Sequence, residues 1–183
     1  MPKASCELLT PQIAWHETQP VNSIDVSPIG FVATGGNDNA VRLWRLRLNK
    51  EASQAVCFLQ DLTGHSTVRR RGLTPTGTPA LSPSLRRRAS QPVNIVRFSP
   101  DGLTLVSAAD DGMIMLWRDK GEQRASFGEA QRAGGMNWGP CGALRGHCAD
   151  VYDLCWSPSG ERLLSGAVDG SCIVWDVAKS KVL

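Results

Sequence analysis

The chain carries three histidines, His16, His65 and His147, and each is followed by an aspartate, Asp38, Asp111 and Asp169, with serines and threonines in between. A hydroxyl, an imidazole and a carboxylate within hydrogen-bonding reach are the parts of a nucleophilic hydrolase. Cys141, His147, Cys148 and Cys155 offer a second chemistry, because thiolates and an imidazole crowded in sequence invite zinc. Zinc sites draw on paired ligands such as C-x2-C, and the chain has no such pair. Cys155 also sits in a run where a small apolar side chain is wanted.

Spacing decides how the histidine and aspartate sets are read. From each aspartate to the next tryptophan the interval is 6, at Trp44, Trp117 and Trp175. From histidine to tryptophan it is 28 in the first and third sets, and 52 in the second, which is 28 plus an insertion of 24. Between these markers fall Ser27-Pro28-Ile29-Gly30, Ser99-Pro100-Asp101-Gly102 and Ser157-Pro158-Ser159-Gly160. An enzyme needs one site, whereas a scaffold needs the same brace in every unit. The repetition therefore argues for a structural unit copied three times.

The elements that position these residues are short strands and turns. Val93–Phe98 and Val151–Trp156 are β-rich runs closed by Ser-Pro-x-Gly, where proline presets φ and glycine accepts a positive φ. Leu103–Val106 and Arg162–Leu164 are expected as second strands. Asp-Gly or Asp-Asn then turns the chain into a third strand ending at tryptophan. No helical periodicity lasts beyond a turn or two, so the sequence predicts an all-β fold.

Composition agrees with a globular interior: 183 residues, 42% hydrophobic and 20% charged. No run of about 18 apolar residues exists, so no membrane helix is expected. The first residues lack an apolar signal core, and the cysteines are too few for a disulfide scaffold, so a reduced intracellular protein is expected. Net charge is 20 − 17 = +3, but Arg69, Arg70, Arg71, Arg86, Arg87 and Arg88 all lie in the insertion, which holds no acid; the remainder carries 3 − 6 = −3. The basicity is local.

These residues resemble the WD40 repeat, in which Gly-His near the start and Trp-Asp near the end bracket a four-stranded blade of about 40–45 residues. The resemblance implies a β-propeller. It also implies a hydrogen-bonded set inside each blade: His16, Thr34, Asp38 and Trp44; His65, Ser107, Asp111 and Trp117; His147, Ser165, Asp169 and Trp175. Blades are expected at residues 15–62, 63–140 and 141–183, the third incomplete, with residues 1–14 supplying an outer strand that would close the ring. Propellers have about 4–8 blades. A chain of about three is therefore expected to be the N-terminal part of a longer protein, or a truncated gene model, unable to fold by itself.

Within the repeat family, Ile13-Ala14-Trp15-His16, Pro92–Pro100, Met136-Asn137-Trp138 and above all Asp150-Val151-Tyr152-Asp153-Leu154-Cys155-Trp156 resemble the WD40-subunit family of chromatin assembly factor 1. That resemblance implies a nuclear, non-enzymatic histone chaperone subunit without cofactor or metal, acting in replication-coupled nucleosome assembly. Its implied partners are the large and small subunits of that factor and the H3 and H4 histones. A further implied partner is the anti-silencing histone chaperone, engaged through a downstream region this chain does not contain; DNA would be met at most indirectly. Two alternatives share the fold. One is a histone-regulator-type chaperone acting outside replication. The other is a substrate receptor of a cullin ligase, for which Trp44-Arg45-Leu46-Arg47 is a poor match because Arg45 replaces the aspartate of the Trp-Asp-x-Arg box.

Two further sites are expected. Asp110, Asp150 and Tyr152 flank the polar turns and form a candidate rim for basic partners. The insertion at residues 67–90 reads as a disordered basic loop that could bind phosphate, or be phosphorylated at Ser90 within Arg87-Arg88-Ala89-Ser90 or at the Ser82-Pro83 site. The competing reading is a neutral insertion or a retained intron.

Overall fold

The computed structural model describes residues 15–46, 56–65, 91–121 and 137–183. The expected strand at residues 1–14, the insertion with Ser90, and Arg47 lie outside the described residues. Among the described residues there are twelve strands and no helix.

The strands form three four-stranded antiparallel sheets, each a meander in chain order. The first holds β1 (Val21–Val26), β2 (Phe31–Gly36), β3 (Val41–Leu46) and β4 (Val56–Leu62). The second holds β5 (Val93–Phe98), β6 (Thr104–Ala109), β7 (Met113–Asp119) and β8 (Trp138–Arg145). In the third are β9 (Val151–Trp156), β10 (Arg162–Ala167), β11 (Cys172–Asp176) and β12 (Lys181–Val182). The array is open, not closed into a ring. Each sheet has the four-stranded meander connectivity expected of a blade.

The predicted turns do their expected work. Gly102 takes φ +73 at the end of its Ser-Pro-x-Gly turn, and Asn39 (φ +67) holds the left-handed position that Gly112 and Gly170 hold in the other sheets. The second strands run further than expected, to Ala109 and Ala167, because both of their edges are paired.

One expectation is corrected. β8 crosses the expected boundary between residues 140 and 141, pairing with β7 from Trp138 to Arg145. The second sheet therefore ends at Arg145. Gly139, Pro140 and Gly142 hide this strand from a propensity reading. Pro140 is tolerated because it sits on an edge strand beside a register shift at Leu116/Trp117, where no ladder donor is required.

Adjacent sheets pack face to face, and the core is these seams. Phe31, Val41 and Leu43 meet Val93, Val96, Trp117 and Trp138 across the first seam. Val106, Ile114 and Leu116 meet Val151, Leu163 and Trp175 across the second. Full burial of each such side chain is worth about 1.5–3 kcal/mol. Trp138 wedges edge-on between Phe31 and Phe98, with ring centroids 6.1 Å apart in both pairs. Its backbone is gripped from β4: Gln60 Nε2 donates to the Trp138 carbonyl at 2.9 Å, and the Trp138 N–H donates to Gln60 Oε1 at 3.1 Å.

Candidate functional site

Each sheet brings one His–Ser/Thr–Asp–Trp set together. The histidine lies on the segment entering the first strand, the hydroxyl on the second strand, the aspartate in the following turn, and the tryptophan on the third strand. In the first sheet His16 Nε2 lies 2.9 Å from Thr34 Oγ1, His16 Nδ1 lies 2.7 Å from Asp38 Oδ1, and Trp44 donates its indole N–H to Thr34 at 3.0 Å. For His65, Ser107, Asp111 and Trp117 the same three distances are 2.8, 3.2 and 2.8 Å.

These contacts fix the protons. The carboxylate can only accept, so Nδ1–H donates to it, and the indole can only donate, so the hydroxyl oxygen accepts from it. In the neutral imidazole Nε2 is then bare and accepts the hydroxyl's proton. Indole, hydroxyl, imidazole and one carboxylate oxygen are thereby linked in an unbroken relay.

The Ser–His–Asp part has the polarity of a hydrolase triad, but the hydroxyl is closed off. Thr34, Ser107 and Ser165 are 0–1% exposed, each beneath an indole that already occupies its oxygen. A nucleophile must reach a carbonyl carbon, and none of these oxygens can.

The third set differs at its carboxylate. His147 Nε2 lies 2.6 Å from Ser165 Oγ, and Trp175 donates to the same oxygen at 2.8 Å. His147 Nδ1 is 3.0 Å from Ser171 Oγ and 3.4 Å from Asp169 Oδ2. Ser171 thus intervenes, and the freed carboxylate takes the Cys148 N–H at 2.9 Å. The Ser171 hydroxyl and the Cys148 and Ser171 backbone N–H groups hold the Asp169 carboxyl far below the usual carboxylate range.

The glycine before histidine has a steric cause. A Cβ on Gly64 would lie 2.6 Å from Cη2 of Trp117, and one on Gly146 would lie 2.8 Å from Cη2 of Trp175. The first sheet departs from this: Trp15 precedes His16 and tilts against Trp44 at a centroid distance of 4.7 Å. Arg42 anchors that alternative, donating to the Trp15 carbonyl at 2.5 Å and pairing with Asp38 at 2.9 Å and Asp61 at 3.1 Å.

A second repeated device was not visible in the sequence. Each first strand opens on a bulge, whose extra residue is Asn22, Asn94 or Tyr152. The bulge aims that side chain at the sheet's rim. Asn22 Nδ2 bridges Asn37 Oδ1 at 2.7 Å and the Val93 carbonyl of the next sheet at 3.1 Å. Asn94 repeats this with Asp110 Oδ1 at 2.8 Å and the Val151 carbonyl at 3.1 Å. The amide is therefore a bridge between sheets.

This changes the reading of the expected rim. Asp110 is tied to Asn94 and belongs to the seam, whereas Tyr152 is exposed. Asp150 spends its backbone carbonyl on the Val168 N–H. Arg45, in the place of the expected aspartate, lies 5.5 Å from the Phe31 ring centroid. Among the described residues no three His, Cys, Asp or Glu side chains converge on a metal-sized site, and Cys141, Cys148 and Cys155 are exposed thiols.

The repeat geometry matches known families. Residues 75–183 match the CAF1B/HIR1 beta-propeller domain, and residues 9–45 match the WD domain, G-beta repeat. The chain belongs to the CAF1B/HIR1 β-propeller family. It is 34% identical over 96% of its length to the B subunit of mouse Chromatin assembly factor 1, covering 28% of that protein. It is 35% identical over 94% of its length to the rice Chromatin assembly factor 1 subunit FAS2 homolog, again covering 28%. Rice Protein HIRA is 32% identical over 93% of the chain, which covers 16% of it. The chain thus spans less than a third of each of these three relatives, and its family is one of chromatin assembly WD40 proteins.

Proposed function

We propose that this chain is a non-enzymatic scaffold of a nuclear histone chaperone complex that deposits H3 and H4 histones during replication-coupled nucleosome assembly. The observation that carries this is the match along nearly the whole chain to relatives named for chromatin assembly factor 1. The polar sets support the non-enzymatic half of the reading: their only nucleophiles are sealed under indoles, so in this reading they brace the blades and the surfaces bind. The partners under this proposal are the large and small subunits of the assembly factor and the histones, with no cofactor or metal.

A second reading, action outside replication in a HIRA-type complex, is favoured by the shared family model and by the rice HIRA match. Affinity purification from nuclear extract tests both. Co-purification of H3 and H4 with the large assembly-factor subunit is the expected result. Histones without that subunit would move the assignment to the HIRA type, and cullin adaptors without histones would overturn both.

A further inference from the structure

The turn from first to second strand lies at the end of each sheet away from its histidine, and register makes the three ends comparable. The rung beside the turn is Phe31 with Arg45, Thr104 with Arg118, and Arg162 with Asp176. The first two sheets leave apolar side chains in the open there, Ile29 at 48% and Leu103 at 59% exposure. These two belong to different sheets but share one surface. Ile29 Cγ1 lies 3.0 Å from the place a Cβ on Gly102 would take, one residue before Leu103.

Three exposed cations flank this apolar pair, and each is held in place. The Arg45 guanidinium stands 5.5 Å from the Phe31 ring centroid, and Arg118 Nε donates to Thr104 Oγ1 at 2.8 Å. The Lys120 stem lies over Gly139, where a Cβ would meet its Cε at 2.7 Å. Among the described residues none of the three makes an ion pair, whereas Arg42 at the other end is taken by both Asp38 and Asp61. Two carboxylates share the surface, and both are turned to other donors. Asp101 accepts from the Ser99 hydroxyl and the Leu103 N–H, and Asp119 from the N–H groups of Gly121 and Asn137. The third sheet lacks the combination: Glu161 stands where the second has Leu103, and Asp176 where it has Arg118.

We infer that the turn end of the first two sheets docks an acidic polypeptide segment that carries apolar side chains, with Ile29 and Leu103 meeting the apolar groups and Arg45, Arg118 and Lys120 the carboxylates. Charge complementarity selects this occupant. None of the cations has to leave an ion pair to bind, and their contacts with Phe31, Thr104 and Gly139 reduce the ordering cost. Apolar side chains set among cations suit a polypeptide, which has apolar groups to bury, better than a phosphate backbone, which has none. Glu161 and Asp176 set the limit, because they repel an acidic segment that runs on to the third sheet. The inference does not rest on the chromatin reading.

The probe is a fluorescein-labelled peptide of alternating glutamate and leucine, titrated into the full chain and followed by anisotropy. Saturable binding that weakens as salt rises is expected. Arg45→Glu should weaken it about tenfold. Arg145→Glu changes net charge equally at the exposed other end of β8 and should leave binding unchanged. Ile29→Ser with Leu103→Ser should weaken binding about fivefold or more, as apolar burial is lost. Arg45, Ile29 and Leu103 are all exposed, so tryptophan emission should stay the same in these variants. A peptide of alternating glutamate and serine should bind far more weakly than the leucine peptide. Absence of saturable binding, an equal loss with Arg145→Glu, or equal affinity for the serine peptide would overturn the inference. Tighter binding of duplex DNA than of the leucine peptide would overturn it too, assigning the cations to phosphate.

Discussion

Trp117 donates its indole N–H to the Ser107 hydroxyl at 2.8 Å, across the middle of the second sheet. That bond makes the serine a relay and not a nucleophile, because the oxygen gives its proton to His65 and a lone pair to the indole. Removing the hydroxyl strands two buried groups at once. Ser107→Ala is expected to cost about 2–6 kcal/mol, since each unsatisfied buried polar group costs about 1–3 kcal/mol. Ser107→Thr should cost far less, because Thr34 makes the same contacts in the first sheet. Urea unfolding of the two variants checks this; equal losses would show that volume and not the hydroxyl matters.

The glycine ahead of the second histidine is expected to be equally unforgiving. Gly64→Ala places a methyl group 2.6 Å from Trp117 Cη2 and 3.1 Å from Met115 Cε. The methionine end can move; the indole cannot without losing Ser107. A destabilisation of about 1–3 kcal/mol is expected, typical of overpacking, with a shift in tryptophan emission. Gly170→Ala is the contrast, because nothing lies within 4 Å of a Cβ there, and its penalty comes from φ +77 alone. Its emission should not shift.

How far the sequence reached depends on whether a residue's role is local. β5 and β9 coincide with the β-rich runs Val93–Phe98 and Val151–Trp156, since both are rich in β-formers and end on a turn with fixed chemistry. β8 was hidden, as its strand character comes from pairing with β7 and from a bulge that absorbs Pro140, not from its own glycine-rich residues. The histidine, hydroxyl, aspartate and tryptophan positions follow from spacing in the repeat, whereas Ser171, which takes the aspartate's place on His147 Nδ1, does not. The Asn22 and Asn94 bridges do not follow from it either. Their partners are carbonyls 71 and 57 residues away, on strands that become neighbours only when sheets stack. Asp110 reads as a free rim acid in the sequence for the same reason.

The third set carries a pH signature. Its Asp169 carboxyl titrates far below the usual range because Ser171 and Cys148 donate to the charged form. A carboxylate depressed in the folded state stabilises fully above its unfolded value of about 3.9, and that contribution is lost only as pH falls towards the folded value. Carbon-detected NMR should therefore find Asp169 still ionised at a pH where an ordinary carboxylate has protonated. Ser171→Ala removes the leading cause and is expected to raise the Asp169 midpoint; an unmoved midpoint would contradict the assignment.

The amide bridge between sheets is the most specific test of how the array holds its geometry. Asn94 is caught between Asp110 on its own sheet and the Val151 carbonyl on the next, so both ends must be lost together. Asn94→Ala should cost about 1–3 kcal/mol, the range for losing partly buried hydrogen bonds and leaving a carbonyl unpaired. Asp110→Ala should cost less, because it frees one end of the amide but leaves the bridge to Val151. If the two act as one unit, the double variant will lose little more than Asn94→Ala alone, a coupling of about 0.5–3 kcal/mol in a double-mutant cycle. Amide hydrogen exchange locates the effect. Protection should fall in β9, where the Val151 end is released, and persist in β1 and β2, on the other side of the second sheet. Additive losses spread evenly over all three sheets would mean that apolar seams alone set the angle between blades, and the amides merely decorate them.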